Sequence, residues 1–134
     1  GEKTIGVAVG DTVLSFAAPV ETIAKRKFTT DAEALIALIK KHGVGGLVIG
    51  LPLNMNGTEG PSAQSARAFA RNFDIKHPLP ILFWDERLST VAVTRTLLEA
   101  DVSREKRKEV VDKMAAAFIL QGVLDAIKRG PPPA

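Results

Sequence analysis

The chain has no cysteine, only two histidines, and no apolar run approaching the ~20 residues that a bilayer requires. The first absence excludes a disulfide framework, a thiolate zinc site and a cysteine nucleophile, and it fits a reducing compartment. The second leaves little for imidazole chemistry. His42 falls at a helix end and His77 in a proline-flanked loop, neither of them placed as a general base or ligand. The third, with an N-terminus unlike a signal peptide, makes a cytoplasmic location the expectation. A serine triad finds no convincing members. The long glycine loop is not a Walker A loop, because no Gly-Lys-Ser/Thr follows it. Internal repeats and linkers are also missing, so one domain over 1–129 is expected, followed by a proline-rich tail over 130–134.

What is present suits a soluble domain. A chain of 134 residues, 46% hydrophobic and with mixed charges, can bury a core without staples. The net charge of +3 and the sequence pI of about 9.4 suit a polyanionic partner, although many basic proteins bind none.

Along the chain, Thr4–Val9 is patterned as a strand, with Gly10-Asp11 as turn material. A second apolar stretch, Val13–Ile23, is interrupted by Pro19, which predicts an edge strand or two short strands. Lys25-Arg26-Lys27 is a solvated basic turn. Thr30-Asp31-Ala32-Glu33 has the spacing of a capping box ahead of the stripe Leu35, Ile36, Leu38 and Ile39, and Gly43 can end that helix in a left-handed turn. Gly46–Gly50 is apolar on both faces, as in a buried parallel strand. Its loop gives way at Pro61 and Ser62 to a helix with Ala63, Ala66, Phe69, Ala70 and Phe73 on one face. Ile81–Trp84 is a second buried strand. Ser89 or Thr90 caps the next predicted helix, with Val91, Leu97 and Leu98 inward. The basic segment Arg104–Lys108 precedes a last helix whose stripe is Val110, Met114, Ala117, Phe118, Gln121 and Leu124. The order of elements indicates an α/β fold: a mixed sheet with an antiparallel meander at one edge and parallel strands flanked by helices.

In open α/β sheets, ligands bind beyond the carboxyl ends of the parallel strands. Two such ends are legible, Gly50 running into the Asn54–Glu59 loop and Trp84 running into Asp85-Glu86, and they belong on one edge. Adjacent acids after an apolar strand are costly unless solvated, paired or bound to a cation. One reading is carboxylate ligation of Mg²⁺ or Mn²⁺, which prefer oxygen ligands. The other is a helix-capping Asp85 with Glu86 paired to Arg87 or Arg95. The Gly50–Gly60 loop permits close backbone approach, and the helix after it points amides at a phosphate, unless it is simply a loop. Asp112, placed in the first turn of the last helix, is either a dipole partner or, with Ala115–Ala117 allowing close packing, an acid brought near Glu86. Lys25–Lys27 and Arg104–Lys108 are solvated faces, or the flanks of a nucleic-acid cleft.

Taken together, Ile49–Gly60 (IGLPLNMNGTEG), Asp85–Thr90 (DERLST) and Val111–Ala116 (VDKMAA) resemble the signature blocks of the YqgF/RuvX family. Gly1–Asp11 (GEKTIGVAVGD) is similar to that family's first hairpin, and the match runs in order from Gly1 to about Leu124. The family is associated with Holliday junction resolution and pre-16S rRNA processing on an RNase H-like fold. The resemblance implies metal-dependent hydrolysis of phosphodiester bonds in structured RNA or branched DNA, with two divalent ions roughly 3.5–4 Å apart. It implies Mg²⁺ or Mn²⁺ held by Asp85, Glu86 and Asp112 as the catalytic and metal-ligating residues. Arg87 would contact a phosphate or brace the acids. Asn54, Asn56 and Gly57 would border the substrate, together with the basic Arg104, Lys106 and Arg107. An uncovered edge strand or apolar helix face leaves room for a homodimer. The family also carries an acid on its first strand in an Asp-x-Gly step. Gly1 stands where that Gly would be, so the first strand is expected to be truncated and the Asp missing from the chain as written. A chain complete as written would lose one ligand and most of its activity. A non-catalytic nucleic-acid-binding factor with the same fold is the alternative, and a small-molecule phosphohydrolase the third reading.

Overall fold

The computed structural model describes residues 4–86 and 104–130, with the backbone alone over 104–109. Its elements are β1 (Thr4–Asp11), β2 (Phe16–Ala24), α1 (Phe28–His42), β3 (Leu47–Leu51), α2 (Pro61–Lys76), β4 (Ile81–Asp85) and α3 (Arg104–Arg129). They fall into two compact units. One holds β1, β2 as far as Ile23, and α3; the other holds Ala24, α1, β3, α2 and β4. The helix expected after Ser89 or Thr90 lies outside the described residues, as do Arg87, Arg95 and the Pro131–Pro133 tail.

In the first unit β1 and β2 are hydrogen-bonded neighbours. The short connection between Asp11 and Phe16 permits only an antiparallel hairpin. The turn lies later than Gly10-Asp11, because β1 continues through both residues. Asp11 then organises the turn with its own oxygens. Its Oδ1 accepts from the amides of Val13 at 2.6 Å and Leu14 at 3.2 Å, and its carbonyl accepts from Ser15 N–H at 2.8 Å. Ser15 closes the turn in the left-handed region, at φ 53°. Pro19 does not split the second strand; it sits at an exposed position inside β2.

Helix α3 lies along β1. Gly6, Ala8 and Gly10 share one face of the strand by its two-residue period, and this small-residue face admits the helix. A methyl group on Gly10 would stand 2.9 Å from Leu124 Cδ1 and 3.0 Å from Leu120 Cδ2. The helix departs from expectation in two ways. It begins at Arg104, so the basic segment belongs to it and Asp112 stands about two turns in. The macrodipole acts within the first turn and does not account for an acid there. Its buried face also differs in part from the expected stripe: Ala117 and Leu124 are buried as read, Ile119 and Val123 join them, and Phe118 is 48% exposed. Gln121, read as part of an apolar stripe, pairs with hairpin backbone instead. Its Oε1 accepts from Ala17 N–H at 2.9 Å and its Nε2 donates to the Ser15 carbonyl at 2.8 Å.

In the second unit the capping box at Thr30–Glu33 is not used, because α1 starts earlier, at Phe28. Phe28 packs into the core and sets its ring edge-on to Phe69, with centroids 5.5 Å apart. Phe28 is only partly buried, but its contact with the core favours a helix that begins with it. Asp31, buried inside the helix, reaches back to accept the Arg26 amide at 3.0 Å. Gly43 ends α1 in the left-handed conformation, as its position predicts, at φ 62°. Ala32, Ile39 and Phe73 form the buried centre of this unit, ringed by Phe28, Leu35, Ile36, Val44, Leu47, Phe69 and Leu79. Strands β3 and β4 pair in parallel, from Leu47 opposite Ile81 to Leu51 opposite Asp85. The antiparallel pair, the parallel pair and the flanking helices agree with the RNase H-like architecture that the resemblance implies. Among the described residues no helix is long and apolar enough to cross a membrane.

Candidate active site

The parallel register places the carboxyl ends of β3 and β4 side by side. Leu51, the last residue of β3, faces Asp85, the last of β4, and the Glu86 amide donates to the Leu51 carbonyl at 3.3 Å. The loop after β3 and the Asp85-Glu86 step therefore leave the sheet from the same edge, as expected of the two strand ends. Asp85 is exposed and Glu86 half-buried. Adjacent acids at a solvated edge avoid the cost that full burial would impose on them.

The loop from Pro52 to Gly60 is ordered by its own polar groups. Asn54 N–H donates to the Thr58 carbonyl at 2.9 Å, and Gly57 N–H donates to the Asn54 carbonyl at 2.8 Å. The Asn54 amide Nδ2 donates to Thr58 Oγ1 at 3.0 Å. Asn56 Oδ1 accepts from both the Thr58 amide, at 3.1 Å, and the Thr58 hydroxyl, at 2.6 Å. Gly57 has φ 86°, a conformation that glycine adopts without a Cβ penalty. Asn54 and Asn56 are thus brought together with Gly57 around Thr58, a residue the sequence did not single out.

Glu59 and Arg67 fasten this loop to α2. Arg67 Nε donates to Glu59 Oε1 at 2.6 Å and its terminal nitrogen donates to Oε2 at 2.9 Å, the two-pronged arrangement that planar guanidinium geometry favours. The same guanidinium lies 4.8 Å from the centroid of the Phe83 ring on β4. Hydrogen bonding by Arg67, and secondarily its charge, holds the Glu59 carboxyl below its ordinary value, against an opposing contribution from desolvation. The pair therefore favours the folded loop above pH 4.5, and that preference fades as pH falls through the lowered value. A ¹³C titration of the Glu59 carboxyl should show a midpoint below that of an unpaired glutamate. In Arg67→Gln the midpoint should return to the ordinary range; no change between the two proteins would show that Arg67 is not the cause.

Asp112 belongs to the first unit. Its side chain accepts a hydrogen bond from the Thr4 hydroxyl through Oδ2. Its backbone meets β1 at Gly6, where an added methyl group would overlap the Asp112 carbonyl and stand 2.8 Å from the Lys113 nitrogen. A glycine inside a strand is a sequence signal for such an approach, but the partner is out of local reach. Arg87 lies outside the described residues. Arg104, Lys106 and Arg107 lie on α3, where the side chains are not described.

Asp85 and Glu86 in the second unit, and Asp112 in the first, each carry carboxylate oxygens, the donors that Mg²⁺ and Mn²⁺ take. Mg²⁺ is commonly held by one or two carboxylates with water completing its shell. Among the described residues no group of three or more acidic, histidine or cysteine side chains converges as a metal cluster. The adjacent pair Asp85 and Glu86 fits a hard cation in donor type.

A family described as RuvX: Holliday junction resolvase matches residues 1–126. The chain is 62% identical over 130 residues to a Roseobacter denitrificans protein named "Putative pre-16S rRNA nuclease", covering 96% of this chain and 80% of that one. A Paramagnetospirillum magneticum protein of the same name is 62% identical over 125 residues, covering 93% and 81% of the two chains. One from Mesorhizobium japonicum is 59% identical over 128 residues, covering 96% and 77%. The strand ends, the loop and the acids described above are thus those of a chain that belongs to the YqgF/RuvX family.

Proposed function

We propose that the protein is a divalent-metal-dependent nuclease acting on structured nucleic acid in the cytoplasm, with precursor 16S rRNA or a branched DNA junction as substrate. The observation that carries the reading is the register of β3 against β4. It sets Leu51 opposite Asp85 and so gathers the Asn54–Gly57 loop and the acidic step on one sheet edge. The names of the relatives and the basic balance of the chain support a polyanionic substrate.

In this reading Asp85 and Glu86 of the second unit, and Asp112 of the first, are each ligands for Mg²⁺ or Mn²⁺. A bound ion would supply an activated water and offset charge on the phosphodiester. The chain's own residues position the substrate. Asn54, Asn56 and Gly57 border the strand, presenting a loop already ordered around Thr58. The first turn of α2, which has no side-chain cap, directs its amides and the positive end of its dipole toward a phosphate. Arg87, Arg104, Lys106 and Arg107 contact the phosphate backbone, giving an affinity that weakens with salt.

Cleavage should therefore stop when EDTA removes divalent ions and return on adding Mg²⁺ or Mn²⁺, measured on precursor 16S rRNA and on a four-way DNA junction. Binding that persists in EDTA, with no cleavage in either metal, would replace this reading with that of a non-catalytic binding factor. Equal cleavage with and without EDTA would remove the metal from the mechanism.

A further inference from the structure

We infer that Thr4 is a positioning residue for Asp112, holding one carboxylate oxygen so that the other is presented to a divalent cation. The inference rests on the reading of Asp112 as a metal ligand given above. Two separate contacts meet at this one acid. The Thr4 hydroxyl donates to Asp112 Oδ2, joining residues 108 apart in the chain. Two positions along the strand, bare Gly6 admits the Asp112 carbonyl and the Lys113 nitrogen to a distance that any Cβ would forbid. The backbone of Asp112 and its side chain are therefore both referenced to β1.

The chemistry of the contact favours positioning. Threonine is branched at Cβ, so its χ1 is stiff, and the strand backbone fixes the direction of its hydroxyl. With Oδ2 engaged by a donor, Oδ1 is the oxygen left to a metal, and the carboxylate is steered toward one-oxygen ligation. Mg²⁺ demands near-ideal octahedral geometry at short distance, which rewards such steering. Outer partners that orient a ligand typically contribute 10–100-fold to metal affinity or activity. The position of Asp112 about two turns into α3 removes the ordinary helix-start explanation for an acid there.

The test is Mn²⁺ affinity, read from the EPR signal of free Mn²⁺, alongside the melting temperature of each protein. Thr4→Val and Thr4→Ala should each weaken Mn²⁺ binding by about 10–100-fold, whereas Thr4→Ser, which keeps the hydroxyl, should stay within about threefold of the parent. Should Thr4→Val fold poorly, Thr4→Ala decides. Parental affinity in a folded Thr4→Val or Thr4→Ala protein, with only a lower melting temperature, would overturn the inference and leave the contact as a structural tie. Asp112→Asn separates this from the underlying reading. Parental Mn²⁺ affinity in Asp112→Asn would show that Asp112 is no ligand. Weakened binding there with unchanged binding in Thr4→Ala would overturn the role of Thr4 alone.

Discussion

Glu86→Gln is expected to lower cleavage of nucleic acid by more than about a hundredfold while the fold persists, and Asp112→Asn is expected to do the same. The amide keeps the shape of the carboxylate but loses the anionic oxygen that a hard cation selects, so more should be lost than the 10–100-fold typical of an outer partner. The fold should survive for different reasons at the two sites. Glu86 is half-buried at the end of a strand, and its backbone is tied to Leu51 independently of its side chain. Asp112 is held through Gly6 as well as through its carboxylate, and an asparagine oxygen can still accept from Thr4. Far-UV circular dichroism and melting temperature should match the parent, while single-turnover cleavage with Mn²⁺ should be lost. Undiminished cleavage by both variants would remove the nuclease assignment from these acids.

Phe73→Ala is expected to cost about 3–5 kcal/mol of stability, the range for emptying a large aromatic from a packed core. Phe73 is fully buried in the core of the second unit, in one cluster with Ala32 and Ile39. It also stacks on Phe69 at 6.0 Å between centroids and receives the edge of His77 at 6.2 Å. Such aromatic pairs add about 0.5–1.5 kcal/mol beyond buried area. Native proteins hold only about 5–15 kcal/mol in total, so the loss is a large share of the whole. Urea unfolding should show a markedly lower midpoint with an unchanged slope. A loss below about 1 kcal/mol would mean that the site collapses around the missing ring, contrary to its close packing.

The parts of the fold that were legible in the sequence are those decided by neighbours. Pro61 opens α2, Gly43 closes α1, and the two apolar runs before the loop and the acids become the parallel pair. The misread parts are those where tertiary contact overrides a local signal. Thr30–Glu33 has the spacing of a cap, but burial of Phe28 draws the start of α1 forward. Phe118 fits a helical stripe by spacing, yet the hairpin selects the face carrying Ala117 and Leu124. The candidate site divides in the same way. Asp85, Glu86, Asn54 and Asn56 could be found by their position after strands. Thr58 and Arg67, which order that loop, carry no motif of their own. The bond from Thr4 to Asp112 joins distant segments and leaves no trace in either.

The hairpin's dependence on α3 has a consequence for the order in which the molecule forms. Its ties to Asp112 and Gln121 span 104 to 108 residues, whereas the described residues of the second unit form one continuous stretch of chain. Contacts of such separation carry a heavy loop-closure cost and form late. At a synthesis rate of about 5–20 residues per second, the hairpin waits on the order of ten seconds for its helix. During that interval the Gly6–Gly10 face has no α3 beside it, while the unit around Phe73 can already close. The small-residue face of the hairpin thus stays open for longer than the core around Phe73, and it is filled only when α3 arrives.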